Sequence, residues 1–260
     1  IGTDAGVGDF RSRNYAYQFG YDHTKKEDDG KRLFGAALDY MDGNTTYRNV
    51  EGTGATDRFG VTAYMTWLGN DGWYYDLVGK WGVLSNSFRV TSDSGVYVDG
   101  DYDNHVLGAS FEFGRKLTKE NSLWFLEPQA QIQHVMVTEA SYSTNQGTRV
   151  DQEKINSTIT RLGFRVGRSF GEKQSGIFYA KADWLKEWHG HQGIKVTDVT
   201  TGDVAADASI DNKGDWFDVG FGVQSPITDT TYFFVDAEYV FGNDLDNTWN
   251  FNAGVRWMFH

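Results

Sequence analysis

Charged and amide side chains recur at even spacing along this chain: Asp76 with Lys80, Glu127 with Gln129 and Gln131, Arg161 with Arg165. Glu112, Asp218 and Arg256 stand singly at alternate positions among apolar residues. In an extended chain, side chains two or four residues apart share a face. Each set therefore reads as part of a wall that mixes acids, bases and amides. Paired carboxylates can move protons. Mixed charges can instead pair across strands around a wet interior, without the cost of burial in hydrocarbon. The structural use is expected for most of them, and for Asp39, Asp183, Asp236, Glu238 and Lys181, which fall on the same face.

Other reagents are scarce. No Ser, His and third polar residue fall into facing positions, as a hydrolase triad requires. His189 and His191 are two apart in a long polar segment, but nothing nearby completes a set of three or four metal ligands. No metal and no other cofactor is expected. Cys is absent, which fits a periplasmic route where a lone thiol would risk stray disulfides. The net charge of -12 leaves no basic stripe for phosphates, so nucleic acid is not an expected partner.

The elements that must position this wall are strands. Among 260 residues there are 31 Gly, only 2 Pro and 16% aromatics, and no apolar run approaches the roughly 20 residues of a membrane helix. Thr248 to Phe259 alternates strictly, with Trp249, Phe251, Ala253, Val255, Trp257 and Phe259 on one face. Phe233 to Phe241, Phe217 to Val223, Leu107 to Phe113, Phe59 to Trp67 and Tyr15 to Tyr21 repeat the pattern, with Gly and polar residues interleaved. Such repetition is the mark of a membrane barrel whose outer face meets lipid and whose inner face meets water.

Strands are expected at 14–24, 32–42, 57–68, 73–91, 103–117, 123–138, 157–170, 176–188, 215–225, 231–242 and 248–259, with Ile1 to Gly8 the end of one more. The fold class is then all-β: a transmembrane antiparallel barrel of about twelve strands, its first strand truncated, in a single domain over 1–260. Connections alternate between short turns and longer loops at 43–56, 92–102, 139–156 and 189–214, as one-sided insertion produces. Trp73, Tyr74, Tyr75, Trp184 and Trp188 lie near strand ends and are expected in interfacial belts. Ile1 to Phe10 lacks the regions of a signal peptide, so the chain reads as a mature piece whose start lies upstream.

YYDLVGK at Tyr74 to Lys80, WFLEPQAQIQHV from Trp124, LGFRVGRSF from Leu162 and the ending NAGVRWMF together resemble the autotransporter β-domain, as found in adhesin and serine-protease autotransporters. The resemblance covers nearly the whole chain. It implies a type V secretion translocator in the Gram-negative outer membrane, secreting or displaying an N-terminal passenger. It also implies a linker helix from that passenger, upstream and absent here, threaded through the lumen against Asp76, Lys80, Glu112, Glu127, Gln129, Gln131, Arg161, Arg165, Asp218 and Arg256.

Implied partners are outer-membrane lipid and lipopolysaccharide, the passenger with its helix, and the barrel-assembly machinery, which reads Trp257 and Phe259 as its signal. The barrel is expected to be a monomer. His260 departs from the family's terminal aromatic and reads as a tag remnant. In family members that cut themselves free, an aspartate matching Asp76 activates an asparagine with two acidic helpers. Ser110 and Gln131 stand at the helpers' positions, so no catalytic residue is assigned beyond Asp76 as a weak candidate. A general porin and an omptin-like barrel protease are the alternatives. An upstream passenger reading frame favours the translocator, and an upstream signal peptide the porin.

Overall fold

In the computed structural model, which describes residues 10–257 except 49, 92–94, 172–174, 229 and 243–244, every element is a strand. They are β1 (Phe10–Glu27), β2 (Gly30–Tyr47), β3 (Gly52–Gly69), β4 (Trp73–Thr91), β5 (Tyr97–Arg115), β6 (Leu117–Thr118), β7 (Trp124–Val137) and β8 (Ala140–Ser143). The chain continues with β9 (Thr148–Gln152), β10 (Ile155–Phe170), β11 (Gly176–Glu187), β12 (His191–Asp198), β13 (Val204–Asp211), β14 (Gly214–Pro226), β15 (Thr231–Gly242) and β16 (Leu245–Trp257).

One antiparallel sheet runs β1-β2-β3-β4-β5-β7-β10-β11-β14-β15-β16, with the two-residue β6 pairing β7 beside that path as a twelfth strand. All eleven expected strands with bounds inside the chain are present. The other expected strand, ending at Ile1 to Gly8, lies outside the described residues. Along the path, β1 and β16 run in the same direction, and among the described residues no register pair joins them. An antiparallel seam between them needs a further strand, as an even-stranded barrel requires. The sheet curls toward that seam, because Arg256 of β16 acts electrostatically on Tyr64 of β3.

Burial is inverted relative to a soluble protein. Phe19, Phe221, Phe251 and Trp257 are 63–79% exposed, and Leu107, Phe164, Leu162 and Trp249 are exposed as well. Buried apolar side chains are few, chiefly Ala37, Ala237 and Phe125, whereas Asp183, Glu127 and Asn104 are buried at 2–4% exposure. A face of this kind in water would be an aggregation surface. Against acyl chains it is the stable arrangement, so the wall is a membrane barrel with a polar lumen.

The interleaved glycines seat neighbouring side chains. A Cβ on Gly163 would collide with Asp183 Oδ1, and one on Gly167 would fall 2.5 Å from the Phe125 ring. Pro128 is tolerated inside β7 because the β5 ladder ends at Gly114↔Gln129 and β6 resumes only at Leu126, so no ladder donor is missed there.

Two expectations about loops are corrected. β2 and β3 pair from Gly30↔Gly69 to Tyr47↔Gly52, so most of 43–56 is strand, and β5 likewise starts at Tyr97 within 92–102. The segments 139–156 and 189–214 fold into two hairpins that join through β9 and β12 in a second sheet, ordered β13-β12-β9-β8. This outer sheet docks on the barrel where Tyr142 stacks on Tyr102 at 4.6 Å, and where Asn145 and Gln146 donate to the Tyr97 carbonyl. Partial burial pushes the Tyr142 hydroxyl up to about 12.

Candidate functional site

The register places the expected wall residues on one face. Asp76 lies opposite Glu112, Glu112 opposite Gln131, Gln131 opposite Arg161, and Glu127 opposite Arg165. Continuing round, Arg165 lies opposite Lys181, Lys181 opposite Gly220, and Asp183 opposite Asp218. Strand alternation puts these residues on one face, since members of one strand are an even number of positions apart, and register sets them opposite one another.

Arg161 is the hub. Its guanidinium donates to Glu112 at 2.7 Å, Gln131 at 3.1 Å, Gln129 at 3.2 Å and Asp183 at 3.3 Å. Arg165 donates to Glu127 at 2.8 Å, and Gln129 donates to the same carboxylate at 2.8 Å. The Lys181 ammonium reaches Glu238 at 2.5 Å, Asp218 at 2.9 Å and Asp183 at 3.8 Å. These contacts join β5, β7, β10, β11, β14 and β15 through side chains as well as backbone. Glu127, Gln129, Gln131 and Arg161 satisfy one another directly. A planar five-donor guanidinium can serve four acceptors where an ammonium could not do so in one plane.

Asp76 accepts a short hydrogen bond from Thr66. With Lys80 it lines a cavity of about 420 Å³ that also meets Asp22 and Tyr64. A second cavity of about 480 Å³ toward the short-turn end is lined by Asp76, Glu112, Glu127, Gln129, Lys116 and Arg165. At the opposite mouth, a polar cleft of about 840 Å³ lies among Thr45, Gly54, Phe88, Asp99 and Thr144, beneath the β8–β9 turn. A continuous wet wall with hydrogen-bonding groups of both signs can pass a polar, extended polypeptide. Among the described residues, the three cavities along it are lined by polar and charged groups.

Three members were missed in the sequence. Tyr74, placed in the interfacial belt, turns inward, where its hydroxyl donates to Glu112 at 3.0 Å. Arg58 pairs with Asp39 at 2.7 Å, and the Tyr64 hydroxyl donates to Asp22 at 3.3 Å. Parity would have found all three: Tyr74 shares the phase of Asp76 on β4, and Arg58 and Tyr64 alternate with the outward Phe59 and Val61 on β3. Arg256 is not joined to the hub but stands at the far edge near Tyr64. Trp257 faces outward at 67% exposure. Phe259 and His260 lie outside the described residues.

The histidines form no metal site: among the described residues no group of three ligands converges. His189 Nδ1 and His134 Nδ1 both contact the Thr158 hydroxyl, at 2.9 and 2.8 Å, and His191 faces Glu153 at 3.5 Å.

The sequence model described as autotransporter beta-domain matches residues 1–238. The pertactin autotransporter of Bordetella bronchiseptica is 30% identical over 251 residues, covering 95% of this chain and 26% of that protein. Among solved structures, the β domain of the Bordetella autotransporter BrkA superposes with a TM-score of 0.75 at 24% identity, over 96% of this chain and 92% of that one. The transport unit of AIDA-I from Escherichia coli gives 0.72 at 17% identity, over 98% and 86%. The two superpositions speak to the fold alone. The chain spans about a quarter of the length of the curated relatives it matches.

Proposed function

The chain belongs to the autotransporter β-domain family and is its translocator barrel, and from that premise we propose that it sits in the outer membrane of a Gram-negative bacterium and conveys an N-terminal passenger to the cell surface through its lumen. The observation that carries this reading is the inverted burial: exposed aromatics outside, and a hydrogen-bonded charged wall inside. A passenger linker would run past Asp76, Lys80 and Arg256, whose groups are not absorbed by the Arg161 hub. The barrel-assembly machinery and lipopolysaccharide are the partners this placement calls for, and the barrel works as a monomer. Nothing in the wall favours the porin or the barrel protease.

Within this reading the wall is a conduit, without catalysis. A proton-transfer role for Asp76 would need free acidic neighbours. Asp76 is engaged by Thr66, Glu112 by both Arg161 and Tyr74, and the next inward position carries Gln131.

The test is display. An epitope-tagged polypeptide fused ahead of the chain, behind a signal peptide, should become accessible to external protease on intact cells. Accessibility that is unchanged when the barrel is deleted would refute the proposal.

A further inference from the structure

On the outward face near the short-turn end, two features meet. The first is a shallow apolar groove of about 570 Å³ across β11, β14, β15 and β16, formed by Phe178, Phe221, Val223, Val235, Phe251 and Ala253. Its shape follows from register. Phe221, Ala237 and Phe251 are consecutive cross-strand partners, and Ala237 is 7% exposed, while the two rings stand out at 63% and 75%. Neighbouring strands are about 4.8 Å apart, so the rings stand roughly 10 Å apart over an alanine floor, a trough wide enough for one hydrocarbon chain.

The second feature is a cation beside the β11 wall of that groove. Arg168 is exposed, two residues from the end of β10, and is the register partner of both Trp124 and Phe178. Its guanidinium lies 5.9 Å from the Trp124 ring, and Trp124 packs edge-on against Phe178 at 5.9 Å. Phe178 is also the first wall of the groove. A cation and an indole at the membrane rim, continuous with an apolar trough running toward the bilayer centre, match a phosphate with an acyl chain beneath it.

We propose that this face binds one anionic diacyl phospholipid of the periplasmic leaflet, its phosphate on Arg168 and one acyl chain between Phe221 and Phe251 over Ala237. The inference rests on the outward face being lipid-facing. The same rim supplies a control, because Arg115 lies 5.2 Å over Trp73 without taking part in the groove.

The experiment is native mass spectrometry of the folded barrel in detergent, titrated with palmitoyl-oleoyl phosphatidylglycerol, alongside insertion into vesicles of the same lipid. One retained lipid is expected. Retention should weaken about tenfold in Arg168→Gln, the scale of one lost charged hydrogen bond. It should also weaken in Ala237→Leu, which fills the trough, and stay unchanged in Arg115→Gln. Inorganic phosphate at equal concentration should not compete, which separates a lipid site from a bare anion site. Equal retention by Arg168→Gln and Arg115→Gln, or competition by phosphate alone, would overturn the site while vesicle insertion still upheld the membrane reading. Failure to insert would overturn both.

Discussion

The lumenal wall and the outer four-stranded sheet use the same residue types in opposite ways. In the wall, the hydrogen-bonded charged partners are distant in sequence: 49 residues between Arg161 and Glu112, 38 between Arg165 and Glu127, 37 between Lys181 and Asp218. In the outer sheet they are two apart, as in Arg149 with Asp151 at 3.0 Å and Lys213 with Asp211 at 3.0 Å. The wall's side chains are mostly covered, at 17% exposure for Arg161 and 1% for Asp183, whereas Arg149 is 58% exposed. Long-range, covered pairs cross-brace different strands. Local, exposed pairs tie together neighbours on one short stretch of chain. Charge composition alone says nothing of this difference, which comes from register and burial.

The largest effect should come from removing the hub. Arg161→Leu leaves Glu112 and nearly buried Asp183 without their shared cation, a loss on the order of 3 kcal/mol. Folded and unfolded forms on unboiled gels over a temperature series should show the transition falling steeply. Arg149→Leu in the outer sheet should leave that transition where it was, since exposed pairs contribute little.

Ala253→Arg, on the lipid face, should cost about 2–4 kcal/mol and cut the fraction assembled into membranes. Asn252→Arg, on the adjacent inward position, exchanges one hydrogen bond to Asp236 and should assemble far better. Equal defects in the two would mean that the outward and inward faces have been confused.

A smaller effect is expected from Tyr74→Phe, which removes the donor to Glu112 while Arg161 still serves that carboxylate. About 1 kcal/mol is the scale of one such bond, again read from the unboiled-gel transition.

Acid should separate the two regions. The Asp198 carboxyl is held below its ordinary range by the Thr201 and Thr200 amides, Asp211 by the Lys213 ammonium, and Asp151 by Ser141 and then Arg149. For a carboxyl with a depressed folded-state pKa, the stabilisation is complete above the unfolded value, near pH 4, and is lost as pH falls through the folded value. Limited proteolysis should therefore open the β8–β9 and β12–β13 hairpins below about pH 4 while the barrel band persists. Hairpins that stay resistant as the barrel opens would reverse the comparison.

Much of the barrel is legible in the sequence, for a physical reason. Lipid on one side and water on the other impose a period of two, so β4 (Trp73–Thr91) and β15 (Thr231–Gly242) can be bounded where the alternation breaks. The inward residues follow from the same parity, and Tyr74 was misplaced only because tyrosine suits an interface as well as a lumen. The outer sheet was illegible: β8 and β13 are short, have water on both sides of much of their length, and carry no lipid-imposed pattern. The four partners of Arg161 were equally hidden, since parity places a residue on a face but register decides which neighbours it meets.

The claim that matters most is that the passenger passes along this wall. The chain has no Cys, so single cysteines can be placed at will in β4. A passenger stalled during secretion and carrying one cysteine of its own should form disulfide cross-links with Asp76→Cys and Lys80→Cys, which face the lumen. It should form none with Leu77→Cys or Trp81→Cys, which face lipid and are 41% and 45% exposed. Cross-linking that favours the lipid-facing positions, or fails at both lumenal ones while the stalled passenger spans the membrane, would contradict passage through the lumen.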